Sequence, residues 1–170
     1  MNYIKRELER KFVHMSSFFK VVLVTGARQV GKTTMLKHLA EGTDRTVVSL
    51  DNLRARELAR TDPVLFFQTY KPPVLIDEVQ YAPQLFEQIK VLTEENAEPG
   101  RFWLTGSQQY NMMKNVRETL AGRVGILELY SLSQREKAGI SVNDNLDFSL
   151  QALLSRQKVM PGNDIVRIFE

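Results

Sequence analysis

The stretch VTGARQVGKTTML occupies residues 24–36. Two glycines, Gly26 and Gly31, lie five positions apart, and Lys32 and Thr33 directly follow the second. This order matches the pattern G-x-x-x-x-G-K-[ST], in which a loop between a strand and a helix turns its backbone N–H groups inward around a phosphate. The apolar run VVLVT precedes the loop and the amphipathic run KTTMLKHLA follows it, so the strand–loop–helix context that the pattern requires is present.

Each part of this loop has a chemical task. The helix N-terminus supplies the positive end of its dipole, and the glycines permit unusual dihedrals and a close approach of phosphate to backbone. We expect Lys32 to bind the β- and γ-phosphates, the Thr33 hydroxyl to bind Mg²⁺, and Thr34 to reach the α-phosphate. The expected nucleotide-binding residues are Gly26, Ala27, Arg28, Gln29, Val30, Gly31, Lys32, Thr33 and Thr34. The Arg28 side chain either touches phosphate or faces solvent, since such loops bind mainly through their backbone.

Two adjacent acids supply the second half of the expected site. Asp77 and Glu78 follow the apolar run PVLI at 73–76, which predicts a buried strand. At the carboxyl end of a parallel strand, Asp77 would lie beside the phosphate loop and act as a Mg²⁺ ligand. Glu78, one residue further out, would orient and deprotonate the attacking water. The alternative is a solvated acidic turn, because acids are common at strand ends.

The order of elements predicts the sheet. Further strands are expected at TVVSL (46–50), RFWLT (101–105) and VGILELY (124–130), alternating with amphipathic helices. This alternation predicts an α/β fold of three layers with a parallel sheet covered on both faces. In ATPases that carry a glutamate after the Mg²⁺ aspartate, a strand separates the two motif strands, so RFWLT is expected there and the order is 5-1-4-3-2. Ser107, just beyond RFWLT, then either senses the γ-phosphate or caps the following helix, and both roles are compatible.

The composition excludes several classes of protein. The chain has 170 residues, 43% hydrophobic and 25% charged, enough to bury one core and keep a mixed surface. It has no cysteine, which excludes a disulfide framework and a thiolate metal site. No apolar run approaches the roughly 18 residues of a membrane span, and the charged N-terminus lacks the apolar segment of a secretory signal. These features fit the cytoplasm. The net charge of +3 is not clustered, and no recognisable DNA-binding motif is present.

Five segments resemble those of a known family. GARQVGKTT, LDNLRARELARTDP, LIDEVQYAP, FWLTGSQ and LAGRVGILELYSLSQRE occur in this order, over roughly residues 3–137. Together they are similar to the bacterial and archaeal AAA-type ATPases whose second motif reads D-E-x-Q. The resemblance implies an ASCE-type P-loop ATPase core with ATP and Mg²⁺ as ligands. It also implies that family members usually continue into a C-terminal domain of unknown role, before which this chain stops.

The resemblance also assigns residues. It gives Lys32 and Thr33 to the phosphate-loop pair, and Asp77 and Glu78 to the metal and the water. Gln80 matches the family's glutamine, a candidate relay between Glu78 and a neighbouring segment.

Two further residues match the family's later motifs. Ser107 matches the element TGS. Arg123, in LAGR, matches the arginine before the fifth strand. Its guanidinium either stabilises charge on the γ-phosphate, in cis or from a neighbouring subunit, or is a surface arginine at a helix end. The expected catalytic residues are therefore Glu78, Lys32, Ser107 and Arg123.

Domain organisation and function follow from these assignments. We expect an ATPase core with an N-terminal helix at 1–140 and a partly helical tail at 141–170 that begins a truncated or unpacked region. The expected function is Mg²⁺-dependent ATP hydrolysis coupled to an unknown protein or DNA partner or to the missing domain. The alternative is a nucleotide-gated binding module with negligible turnover. A small-molecule kinase is disfavoured by the Asp-Glu pair and the TGS element. A homo-oligomer is left open.

Overall fold

One sheet of parallel strands organises the molecule. In the computed structural model, residues 3–107 and 110–139 are described, and the expected tail at 141–170 lies outside them. The strands are β1 (Val21–Thr25), β2 (Thr46–Ser49), β3 (Val74–Asp77), β4 (Phe102–Thr105) and β5 (Val124–Glu128). The observed order is β2-β3-β4-β1-β5, which is the predicted order 5-1-4-3-2 read from the other edge. The predicted α/β fold is confirmed.

Helices cover both faces of this sheet. In the described ranges they are α1 (Leu8–Ser16), α2 (Lys32–Ala40), α3 (Leu53–Thr61), α4 (Pro63–Thr69), α5 (Leu85–Glu95), α6 (Tyr110–Thr119) and the short α7 (Gln134–Lys137). A single 3₁₀ turn at Val79–Tyr81 follows β3. None of the helices described is long and apolar enough to cross a bilayer.

The core divides into two apolar clusters, one on each face of the sheet. Along β1, Val21 and Leu23 belong to one cluster, whereas Val22 and Val24 belong to the other, because successive side chains of a strand point to opposite faces. The larger cluster includes side chains of α3, α4, α5 and α6, and the smaller includes those of α1 and α2. Since both faces of the sheet are covered, every residue of β1, β3 and β4 is buried.

Strand register decides which residues share the edge where ligands bind. Ser49 pairs with Asp77, and Val24 pairs with Thr105. The carboxyl ends of β1, β2, β3 and β4 therefore meet at one edge of the sheet, and the loop that follows β1 lies at that edge. This is the position at which open parallel sheets bind ligands.

Candidate nucleotide-binding site

The loop between β1 and α2 has the backbone of an anion nest. Gly31 precedes α2 with φ 93° and ψ 22°, and Gln29 also has a positive φ of 63°. Gly26 has φ 146°, and a Cβ added to it would lie 2.2 Å from the Leu129 carbonyl oxygen. Only glycine fits at Gly26, because the neighbouring atom belongs to the backbone. Ala27, Arg28 and Gln29 are exposed, so the Arg28 side chain faces solvent.

Lys32 lies inside this loop. Lys32 is only 5% exposed. Its Nζ donates hydrogen bonds to the carbonyl oxygens of Gly26 at 3.1 Å and Ala27 at 2.7 Å. An ammonium group has three N–H donors. The loop thus holds a positive charge at its centre, where it is suited to bind a phosphate. Thr34, two residues on, is exposed on α2.

The Asp77 carboxylate accepts hydrogen bonds from three hydroxyl groups. Oδ1 accepts from Thr33 Oγ1 and from Thr105 Oγ1, both at 2.5 Å, and Oδ2 accepts from Ser49 Oγ at 3.2 Å. The predicted pair Thr33 and Asp77 is therefore in direct contact. Ser49 and Thr105 join them because β2 and β4 flank β3.

The Thr33 and Asp77 side chains suit a hard cation whose coordination shell is completed by phosphate oxygens and waters. Within the described ranges, no group of three or more His, Cys, Asp or Glu side chains gathers to hold a metal by itself. A carboxylate and a hydroxyl beside a phosphate loop match Mg²⁺, which binds few protein ligands together with phosphate oxygens and waters.

Glu78 occupies a strained turn at the end of β3. Its φ of 59° and ψ of 45° are left-handed, which costs a non-glycine residue about 1–2 kcal/mol. Two contacts hold it there: its backbone N–H donates to Thr105 Oγ1 at 3.0 Å, and its carboxylate accepts from Gln80 Nε2. Gln80 Oε1 in turn accepts from the Ser107 N–H at 3.2 Å. The predicted contact of Gln80 with a neighbouring segment is thus the loop after β4.

Ser107 follows β4 and contacts Gln80. Its Oγ is buried and has no hydrogen-bond partner among the residues that the structure describes. An unsatisfied buried hydroxyl is uncommon and calls for a ligand or water. Ser107 is linked to Glu78 through Gln80, and its sensing role stays a prediction.

Some known proteins resemble this chain in sequence, and others resemble it in fold. A family model described as an AAA domain matches residues 18–138. The chain belongs to the AAA domain family. An uncharacterized protein of Mycobacterium tuberculosis and one of Mycobacterium bovis are each 36% identical to it over 127 residues. The match covers 74% of this chain but only 28% of the length of those relatives.

Solved structures agree with this AAA domain in fold. The Walker-type ATPase PABY2304 of Pyrococcus abyssi superposes with a TM-score of 0.57 at 17% identity, over 81% of this chain and 57% of the other. A single-residue variant of RuvB from Thermotoga maritima gives a TM-score of 0.53 at 20% identity, over 81% of this chain and 49% of its own. The AAA-type P-loop ATPase fold is thereby confirmed, and it supports nucleotide binding.

Arg123 does not reach the phosphate loop of this AAA domain. It directly precedes β5, and its backbone carbonyl accepts from Val21 N at the amino end of β1. In a parallel sheet this is the edge opposite the loop. Its guanidinium instead pairs with Glu94 at 2.6 Å. The expected role in cis is wrong for this geometry. The alternative, a surface arginine at a helix end, agrees with these exposed contacts, and action on a neighbouring subunit stays a prediction.

Arg6, which the sequence did not single out, contacts the phosphate loop instead. This residue is 6% exposed. Its guanidinium donates to the Val30 carbonyl at 2.7 Å, to the Tyr130 carbonyl at 2.7 Å and to Glu136 at 2.9 Å. No local pattern signals it, because two of its partners lie more than 120 positions away in the chain.

Glu136 completes this buried network. Burial alone would raise the pKa of its carboxyl, but hydrogen bonds from the backbone N–H groups of Ser133 and Glu7 and from Arg6 together lower that pKa below its usual value. The folded state therefore binds the proton more weakly than the unfolded state. The stability that Glu136 contributes is present above the usual value of 4.5 and is lost as the pH falls through the folded-state pKa.

A substitution tests this pH dependence. We expect Glu136→Gln to lower the free energy of unfolding by about 3–5 kcal/mol near pH 7, because it leaves Arg6 buried without its counter-charge. The difference between wild type and variant should shrink as the pH falls below 4.5 and through the lowered folded-state pKa, because the wild-type carboxylate becomes protonated there. Urea unfolding at several pH values measures it. A difference that stays constant over this range would contradict the assignment.

Proposed function

We propose that this AAA domain binds ATP together with Mg²⁺ and hydrolyses the bond between the β- and γ-phosphates. One observation carries the proposal: Lys32, the Thr33–Asp77 pair and Glu78 meet at the edge of the sheet where the phosphate loop begins. A phosphate loop alone would account for nucleotide binding. The two adjacent acids, one held by hydroxyls and the other in a strained turn, are what hydrolysis additionally requires.

The roles follow from position. The loop N–H groups and Lys32 bind the β- and γ-phosphates. The metal ion, held by Thr33 and Asp77, would neutralise charge that develops on the phosphate oxygens. Glu78 orients a water and accepts its proton, and Ser107 Oγ donates a hydrogen bond to the γ-phosphate.

Gln80 links the last two roles. Its amide donates to the Glu78 carboxylate and accepts from the Ser107 backbone N–H. A shift of the Ser107 segment toward the γ-phosphate would therefore change how firmly Glu78 is held. We infer that Gln80 relays the presence of a triphosphate to the base.

The same contact favours the second candidate, a nucleotide-gated binding module with negligible turnover. The hydrogen bond from Gln80 occupies one oxygen of the Glu78 carboxylate, so that oxygen is less available to an attacking water. In both versions the nucleotide state is passed to a partner, either protein or DNA, or to a further domain of the kind that the longer relatives have room for.

A titration with ATP and Mg²⁺, followed for both binding and phosphate release, tests the proposal. We expect binding with measurable release for hydrolysis, and tight binding without release for the module. Absence of binding would refute both.

Lys32→Ala should weaken ATP binding about 10- to 150-fold, since a hydrogen bond to a charged group contributes about 1.5–3 kcal/mol. Lys37→Ala is the matched control, because Lys37 is exposed on the same helix. Isothermal titration with ATP measures both variants. Equal affinities for the two would contradict the role of Lys32.

A further inference from the structure

The peptide between Val30 and Gly31 is held from one side. Arg6 donates to the Val30 carbonyl, and the same guanidinium also donates to the Tyr130 carbonyl just beyond β5. Arg6 thus approaches the phosphate loop from the β5 side. Asp77 and Thr105 lie on the other side of β1, since β4 and β3 follow it in the opposite direction.

Peptide geometry then fixes the neighbouring donor. In a planar trans peptide, the carbonyl oxygen and the N–H hydrogen point in opposite directions. Among the described residues the cis peptide is Pro72-Pro73, so the Val30–Gly31 peptide is trans. Because its carbonyl points at Arg6, the Gly31 N–H points away from Arg6 and from the β5 side. Gly31 also directly precedes α2, so its N–H is one of the free donors at the helix N-terminus, where anions bind.

We propose that Arg6 is a positioning residue for the phosphate loop: by holding the Val30 carbonyl outward, it aims the Gly31 N–H at the phosphate of a bound nucleotide. This inference rests on the proposed function, since it assumes that the loop binds a nucleotide's phosphates. If the peptide rotated, a carbonyl oxygen would face the anion in place of a donor. Arg6 acts by orientation and not through its own field, because Glu136 balances its charge at 2.9 Å.

A half-buried arginine offers a control. Arg45 donates to the carbonyl oxygens of Gly100, Arg101 and Val74 at 2.8–3.4 Å, and its guanidinium lies 3.7 Å from the centre of the Trp103 ring. These carbonyls belong to the segments that enter β3 and β4, at the sheet edge away from the loop. Arg6→Met and Arg45→Met should therefore both lower stability, whereas only Arg6→Met should change phosphate binding.

Inorganic pyrophosphate is the probe, because it fits the loop without contacts to a base or sugar. We expect isothermal titration to give about tenfold weaker binding for Arg6→Met than for wild type, the value of one charge-assisted hydrogen bond. Arg45→Met should stay within about twofold of wild type. Both are measured at a temperature where circular dichroism shows each variant folded. If Arg6→Met bound pyrophosphate as tightly as wild type, or if both variants lost affinity equally, the role of Arg6 would be overturned. The proposed function would stand in either case.

A measurement on the wild type covers the case in which Arg6→Met does not fold. With ¹⁵N-labelled protein, saturation with pyrophosphate should move the Gly31 amide proton downfield and slow its exchange. An unchanged Gly31 amide in the presence of bound pyrophosphate would overturn the inference but leave the proposed function intact. Wild-type protein that binds neither pyrophosphate nor ATP would overturn both.

Discussion

Replacing Glu78 by glutamine is expected to lower ATP hydrolysis by about 10²- to 10⁴-fold while ATP binding stays within a few-fold of wild type. The substitution keeps the shape of the side chain and an oxygen that can accept from Gln80. It removes the one property that hydrolysis requires of Glu78, the capacity to take a proton from water. Single-turnover phosphate release together with equilibrium ATP binding measures the two effects separately.

The matched control for this experiment is Glu57→Gln, an exposed glutamate on α3. It makes the same change in net charge away from the site, and we expect it to hydrolyse ATP at the wild-type rate. If Glu78→Gln retained more than about a third of the wild-type rate, Glu78 would not be the base. Hydrolysis would then have to use another base.

Gly26→Ala is expected to lower the free energy of unfolding by about 2–4 kcal/mol and to abolish tight nucleotide binding. The added methyl would lie 2.2 Å from the Leu129 carbonyl oxygen, and the backbone there has a φ of 146°. Relief requires that β1 and the end of β5 separate or that the loop change its path. Either movement displaces the N–H groups that face the phosphate. Thermal unfolding and ATP titration check the two expectations.

Gly42→Ala separates the effect of the close contact at Gly26 from the effect of a positive φ. Gly42 also has a positive φ, of 75°, but among the described residues no atom lies within 4 Å of the position that an added methyl would take. We expect a loss of only about 1 kcal/mol, with ATP affinity unchanged. If the Gly26→Ala protein were as stable as Gly42→Ala, the close contact between residue 26 and the Leu129 carbonyl would be contradicted.

Much of the fold could be predicted because its signals are local. Alternating apolar and amphipathic runs predicted each strand to within a few residues, and the paired acids after β3 led to the correct sheet order. The contact of Thr33 with Asp77 follows from that order, since parallel strands bring their carboxyl ends to one edge.

The errors and omissions have a different physical origin. The phosphate-binding role of Arg123 was assigned from its motif. However, a residue that precedes a parallel strand lies at the opposite edge of the sheet from the residues that follow the strands, and the phosphate loop follows β1. Arg6 was missed because its contacts join segments more than 120 residues apart, which no periodic pattern encodes. Ser49 was missed because a serine at a strand end is common and gains meaning only when the register places it opposite Asp77.

The Thr105 hydroxyl has a consequence for how this centre responds to movement. One oxygen atom donates to the Asp77 carboxylate and accepts from the Glu78 backbone N–H. The acid assigned to the metal and the acid assigned to the water are thus linked through a single side chain of a third strand. A small displacement of the tip of β4 must shift both acids together, so the sheet cannot adjust one half of the reaction without disturbing the other.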